Sequence, residues 1–201
     1  MGTAVNAYGL LQEFSDRPES AMTLSLDTEL DDQLTHADIK VTKTQVDGHT
    51  VTCIENDGIS LYYADGAVIM ENGKAYQVSE LYPDYSSLPA EAAKIFQVVS
   101  FTTSHSGGKA TCSLTAEGEN ARTLLKIFLP EQIDSLSDTQ KLKVELTSAD
   151  EEIQSLCFSS DGTLTDDNKT PYTISAELKP AEMEKAFAVP EPVKETVCSG
   201  E

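Results

Sequence analysis

Apolar and polar positions alternate along most of this chain, and the step of the alternation changes where the structure should change. Residues Ala4, Ala7, Tyr8, Leu11 and Phe14 recur at helical spacing, and Asp16, Arg17 and Pro18 end the run, which predicts an opening amphipathic helix. From Met22 the step becomes two. Met22, Leu24, Leu26 and Leu30 share one side of a strand, with Thr23, Ser25, Asp27 and Glu29 on the other. A second strand over Ala37 to Thr44 turns Ile39 and Val41 inward, and Asp47-Gly48 then turns tightly into His49 to Glu55.

The stretch GISLYYADGAVIMENGKAYQV is punctuated by Asp57-Gly58, Asp65-Gly66 and Asn72-Gly73. Each pair can adopt the positive backbone angles that hairpin turns demand, so the segment predicts an antiparallel meander. Beyond it, Leu88, Ala92, Ile95, Phe96 and Val99 form one helical stripe, and Ala121, Leu124, Leu125 and Phe128 another. Between them, SHSGGK reads as a mobile loop, and Ala110, Cys112 and Leu114 as a strand. Leu142, Val144 and Leu146 pair with Ile153 to Phe158 as a hairpin. Tyr172, Ile174, Ala176 and Leu178 supply the last strand, followed by a short helical run from Ala181 to Phe187. Strands dominate without βαβ alternation, so the fold class is α+β with an antiparallel sheet, one face apolar and covered, the other polar.

The order of these elements resembles the bacterial lipoprotein-carrier fold, the half-open barrel of the LolA and LppX type. The resemblance rests on TLSLDTEL, the meander ISLYYADGAVIMENGKAYQV, the helix before SFTTS, the hairpin KVELTSADEEIQSLCF, and YTISAELKP followed by FAVPEPV. It implies a single curved antiparallel sheet wrapping a few short helices on its concave apolar face. It covers most of residues 20 to 193, and with the opening helix and the proline-bearing end the chain is expected to divide into an N-terminal helix over 1–19, the half-barrel over 20–189 and a flexible acidic tail over 190–201. It also implies an exported envelope protein, at the cell surface or in the periplasm, with its signal segment missing from this chain.

Composition narrows the partners. With 14 Lys and Arg against 34 Asp and Glu, the 201-residue chain carries a formal charge of −20, which disfavours nucleic acids and anionic membrane surfaces. Aromatic residues make up 6% and Trp is absent, so a broad aromatic recognition surface is not expected. No apolar run approaches the ~20 residues of a membrane helix. The Met1-Gly2 start does not fit a myristoylation signal, because the sixth residue is Asn6.

Catalytic signatures are missing: GxSxG, HExxH, GxxxxGK[ST] and GxGxxG do not occur. His36, His49 and His105 read as solvated surface residues. The acidic groups Asp31-Asp32, Asp150-Glu151-Glu152 and Asp166-Asp167-Asn168 read as turns rather than metal ligands. Cys53, Cys112, Cys157 and Cys198 are too widely spaced for zinc, and Cys53 and Cys112 fall on apolar faces. No catalytic residue, cofactor or metal is expected.

Two readings of function follow. In the first, a non-catalytic envelope protein holds a lipid or other apolar small molecule against the concave sheet. Leu24, Leu26, Leu61, Tyr63, Val144 and Leu146 would line the site, with the Tyr63 hydroxyl at its mouth. In the second, the chain is a protein-interaction or structural module of the envelope whose core is filled, its partner another envelope protein. A monomer is expected in both. The charge imbalance carries its own consequence. Screening should relieve self-repulsion of the folded chain, so Tm measured by calorimetry should rise between low and physiological salt, by roughly 2–4 °C per kcal/mol of repulsion removed.

Overall fold

The computed structural model describes residues 6–77, 88–98, 101–128, 140–184 and 187–199, without the side chains of residues 77, 88, 95–98 and 126–128. The first helix, α1 (Ala7–Asp16), is capped by Asn6, whose side chain accepts from the Gly9 N–H at 3.0 Å. Two long strands follow, β1 (Ser20–Leu30) and β2 (Gln33–Val46), then β3 (His49–Asn56), β4 (Ile59–Ala64), β5 (Ala67–Met70) and the short β6 (Ala75–Gln77). After α2 (Leu88–Val98), β7 (Thr102–Ser106) and β8 (Lys109–Glu117) form a hairpin. Then come α3 (Gly118–Phe128), β9 (Lys141–Ala149), β10 (Glu152–Thr163), β11 (Pro171–Ala181) and α4 (Glu191–Cys198).

All described strands join one antiparallel sheet of eleven, in the order β6-β5-β4-β3-β2-β1-β11-β10-β9-β8-β7. Among the described residues β6 and β7 do not pair with each other, so the sheet is not closed. It must curve. Eleven strands spaced ~4.8 Å apart would spread over about 50 Å if flat, whereas a ten-residue helix is about 15 Å long. Yet one contiguous core joins Ala7, Leu11 and Phe14 of α1 to Val68 of β5 and Cys112 of β8. The α+β class and the single antiparallel sheet wrapped around short helices are as expected.

Register explains why one face is apolar without interruption. Met22, Leu24 and Leu26 of β1 lie opposite Val41, Ile39 and Ala37 of β2, and opposite Pro180, Leu178 and Ala176 of β11. The row continues through Leu156 and Phe158 of β10 to Leu146 and Val144 of β9, then Cys112 and Leu114 of β8. Because side chains alternate across a strand, one residue of slip in any ladder would turn that strand's apolar set outward. On α2, Ala92 and Ala93 are buried in this core. The side chains of Ile95 and Phe96, and all of Val99, lie outside the described residues, as does Ala4 of the opening stripe.

Turns follow the Asp-Gly pairs. Asp47-Gly48, Asp57-Gly58 and Asp65-Gly66 all take positive φ, and Asp31-Asp32 and Asp150-Glu151 adopt the same conformation without glycine. Asp tolerates this region because its short side chain can hydrogen-bond locally. The segment SHSGGK is not a loop: β7 and β8 run through it, joined at Gly107-Gly108. The expectation fails because its polar residues belong to an outermost strand exposed along its whole length.

The chain end brings the largest correction. The segment from 190, expected as a flexible acidic tail, contains α4, and the helical run expected from Ala181 is irregular where described. Val193 and Val197 of α4 pack on the outer face of β3–β5, with Val46, Val51, Cys53, Tyr62, Ala64, Ile69, Val189 and Phe187. The sheet is therefore covered on both sides here, because β3 carries apolar or small residues at consecutive positions: Val51, Thr52, Cys53 and Ile54 are all buried. Gly73 seats the helix. A side chain there would come within 2.7 Å of the Pro192 carbonyl, and the Thr196 hydroxyl donates to the Gly73 carbonyl at 2.7 Å.

Burial under α4 pushes the Cys53 thiol up to about 11, which keeps it protonated and unreactive at neutral pH. Val197→Asp should remove roughly 1.5–3 kcal/mol of burial. Mass-spectrometric mapping of thiol labelling should then find Cys53 modified about tenfold faster or more than in the wild type. Unchanged labelling would show that α4 does not guard it.

Candidate functional site

The six residues expected to line a ligand site all project from the concave face, and most are buried beneath helices. Val144 and Leu146 have no exposed surface, Leu24 is 2% exposed and Tyr63 7%. Leu26 and Leu61 are half-buried. Four of them, Leu24, Tyr63, Val144 and Leu146, belong to the main core with α1, α2 and α3, and Leu61 packs against it. None lines a described cavity.

A cavity of about 240 Å³ does open on the concave side, where α1 and α2 meet the start of β1, the end of β2 and the start of β3. Its apolar walls are Phe14, Met22, Val41 and Pro89; Ser15, Ser20, Thr50 and Thr52 contribute hydroxyls. Tyr63 stands directly across from Thr52 in the β3–β4 register, next to the wall. Lys43 also lines this space.

Lys43 sits there because it continues the inward step of Ile39 and Val41, opposite Ser20 on β1 and Thr52 on β3. Its ammonium donates to the Ser15 carbonyl at 2.6 Å, at the end of α1. Partial burial holds its pKa below the ordinary lysine value, opposed by the charge of Asp16. Among the described residues no carboxylate lies within 4 Å of its nitrogen, although five other lysines are so paired: Lys40 with Glu55 and Glu184, Lys94 with Glu91, Lys143 with Glu145, Lys179 with Glu177 and Lys194 with Glu191. Lys74, Lys109, Lys141 and Lys169 are likewise unpaired among the described residues but exposed, so what distinguishes Lys43 is that it is half-buried without a carboxylate.

A larger recess of about 340 Å³ lies on the outer face, between Ser25, Asp27, Lys143, Glu145, Cys157 and Glu177 among others. It is a gap between surface side chains that satisfy one another. Lys143 pairs with Glu145 at 2.6 Å, and Lys179 with Glu177 at 2.8 Å. The concave cavity joins apolar walls to a half-buried charge that has no carboxylate within 4 Å among the described residues.

Two other polar features stand apart. At the far end of the concave face, Gln140 is fully buried with neither amide atom hydrogen-bonded, near Gly162 and Tyr172, and the Tyr172 and Ser160 hydroxyls lie 3.3 Å apart. On the outer face, His36 Nδ1 lies 2.7 Å from Asp27 and its Nε2 3.2 Å from Asp38, while the Ser25 hydroxyl donates to Asp38 at 2.7 Å. His36 is thus partnered as well as solvated, and so is His49, which lies 2.8 Å from Asp65. All four cysteines are free thiols.

Neither a family model nor a curated protein matches the chain. Among solved structures it is similar to a domain described as an outer membrane lipoprotein-sorting protein from Vibrio parahaemolyticus, with a TM-score of 0.38 and 9% identity over 96% of this chain and 97% of that one. A DUF1329 family protein from Desulfovibrio piger is similar with a TM-score of 0.34 and 8% identity, over 90% and 93% of the two chains.

The hydrogen bond to Asp27, then that to Asp38, raises the pKa of His36 above 6.5. The stabilisation this gives is complete below the unfolded pKa of 6.5 and is lost as pH rises through the higher folded value. A histidine NMR titration should place His36 above 6.5 and find it lowered in Asp27→Asn.

Proposed function

We propose that this protein is a non-catalytic envelope protein that binds an apolar small molecule or lipid on the concave side of its sheet. The cavity between Phe14, Met22, Val41 and Pro89 carries this reading, since it joins an apolar floor to a few polar groups at its rim. At about 240 Å³ it falls just below the ~300–1,000 Å³ of drug-sized sites, so it suits a short chain or the end of a longer one. The sequence resemblance to lipoprotein carriers points the same way and supplies the extracytoplasmic location. Leu24, Leu61, Val144 and Leu146 lie outside this cavity, beneath the helices, and the ligand is expected not to reach them.

A second reading is favoured by the burial of those residues. With Val144 and Leu146 fully enclosed, the concavity is largely filled by the protein's own helices, as in an interaction module with no ligand. Titration with a fluorescent fatty-acid probe separates the two. The wild type should bind saturably. Thr50→Trp, which places bulk at an exposed position of the cavity wall, should weaken binding about tenfold or more, while Leu61→Arg should retain it. Loss in Leu61→Arg with binding retained in Thr50→Trp would move the site to those residues. No saturable binding by the wild type would leave the interaction module.

A further inference from the structure

The cavity contains a half-buried cation, Lys43, that has no carboxylate within 4 Å among the described residues. A lysine on the buried face of a strand is costly unless paired, because burial disfavours its charged form. Five other lysines of the described structure reach carboxylates, in a chain whose acidic residues outnumber its basic ones by 34 to 14, and the remaining described ones are exposed to water. Lys43 is half-buried, and among the described residues no carboxylate lies within 4 Å of it. Asp16 is close enough to act on it electrostatically but lies beyond 4 Å, and the ammonium's described protein contact is one backbone carbonyl. An ammonium has three donors, so donors remain for a ligand. The same cavity is lined by the hydroxyl-bearing residues Ser15, Ser20, Thr50 and Thr52 and by Phe14, Met22 and Val41.

We infer that the ligand of this cavity is an amphiphile with a single anionic head, its carboxylate or phosphate held by Lys43 and the neighbouring hydroxyls, its hydrocarbon against Phe14, Met22 and Val41. The inference rests on the apolar-ligand reading above and adds the charge of the head. An anion at this point would complete the hydrogen bonding of the ammonium and supply the missing counter-charge where water is partly excluded and the attraction is correspondingly stronger. A neutral lipid would leave that charge uncompensated. The depressed basicity of Lys43 fits a site whose counter-ion arrives with the ligand.

The test compares decanoate, decyl phosphate and the uncharged decanol by isothermal titration calorimetry on the full chain. The wild type should prefer at least one anionic probe over decanol by about tenfold or more. The ratio between decanoate and decyl phosphate tells a carboxylate head from a phosphate head. Lys43→Met should abolish the preference while still binding decanol, and Lys43→Arg, which keeps the charge and a donor toward Ser15, should restore it even if the Met variant folds poorly. Carbon-13 NMR of the methylated lysines should find the Lys43 pKa moving up when the preferred anion binds. Equal binding of all three probes by the wild type would overturn the anionic-head inference and leave the apolar-ligand reading intact. Binding of none would overturn both.

Discussion

The pairing of β1 with β11 is the contact on which the rest of the structure depends. Most other ladders in the sheet join strands close in sequence, but this one runs from Ala21 opposite Ala181 to Leu30 opposite Tyr172, across about three-quarters of the chain. It stitches the meander β1–β6 to the group β7–β11, and without it the concave face would be two separate apolar surfaces, each too small to enclose α1, α2 and α3. Closing so long a loop costs entropy before any contact rewards it, and topologies dominated by such pairings fold slowly. The ladder also sets the place of α4. The chain leaves β11 in the middle of the sheet, passes the Lys40–Glu184 ion pair on β2, and reaches the outer face of β3–β5.

The two faces of the sheet divide the work unequally. The inner face is apolar except near its ends, where Lys43 lies at one and Gln140 with the Ser160–Tyr172 pair at the other. A buried amide without partners costs about 1–3 kcal/mol, and partial burial disfavours the charged form of Lys43. Only the lysine opens onto a described cavity of useful size, which is why it and not Gln140 points to a ligand. The outer face carries charge instead, where Lys143, Lys179, His36 and His49 are engaged by neighbouring carboxylates.

A net charge of −20 might be thought to repel any anionic ligand. Distance and dielectric decide otherwise. At physiological ionic strength, exposed charges farther away than ~8 Å are largely screened, whereas a lysine at contact distance in a partly dry cavity is not. Local geometry therefore sets the sign of the potential that a bound head would feel, and overall charge sets solubility and the exclusion of nucleic acid.

Much of this was legible in the alternation of residues. The two-residue step of Met22–Leu24–Leu26, Ile39–Val41 and Leu142–Val144–Leu146, with the Asp-Gly turns, determines antiparallel strands and which side of each is apolar, because strand geometry alternates side chains without reference to the rest of the chain. The same step continued to Lys43 places a cation on the inner face, a signal easily passed over because charge at a strand's end usually means solvent. What sequence could not determine was which strands lie side by side over long distances, and so whether apolar faces meet a helix, a cavity or each other. Val144 and Leu146 are apolar in either case; only the curvature of the sheet and the seating of α1, α2 and α3 decide that they are enclosed. Likewise Val193 and Val197 form too short a stripe to predict a packed helix. Only the doubly apolar β3 beneath them, brought into reach by the β1–β11 ladder, turns an expected tail into part of the core, since a short helix gains its stability from the surface it covers rather than from its own residues.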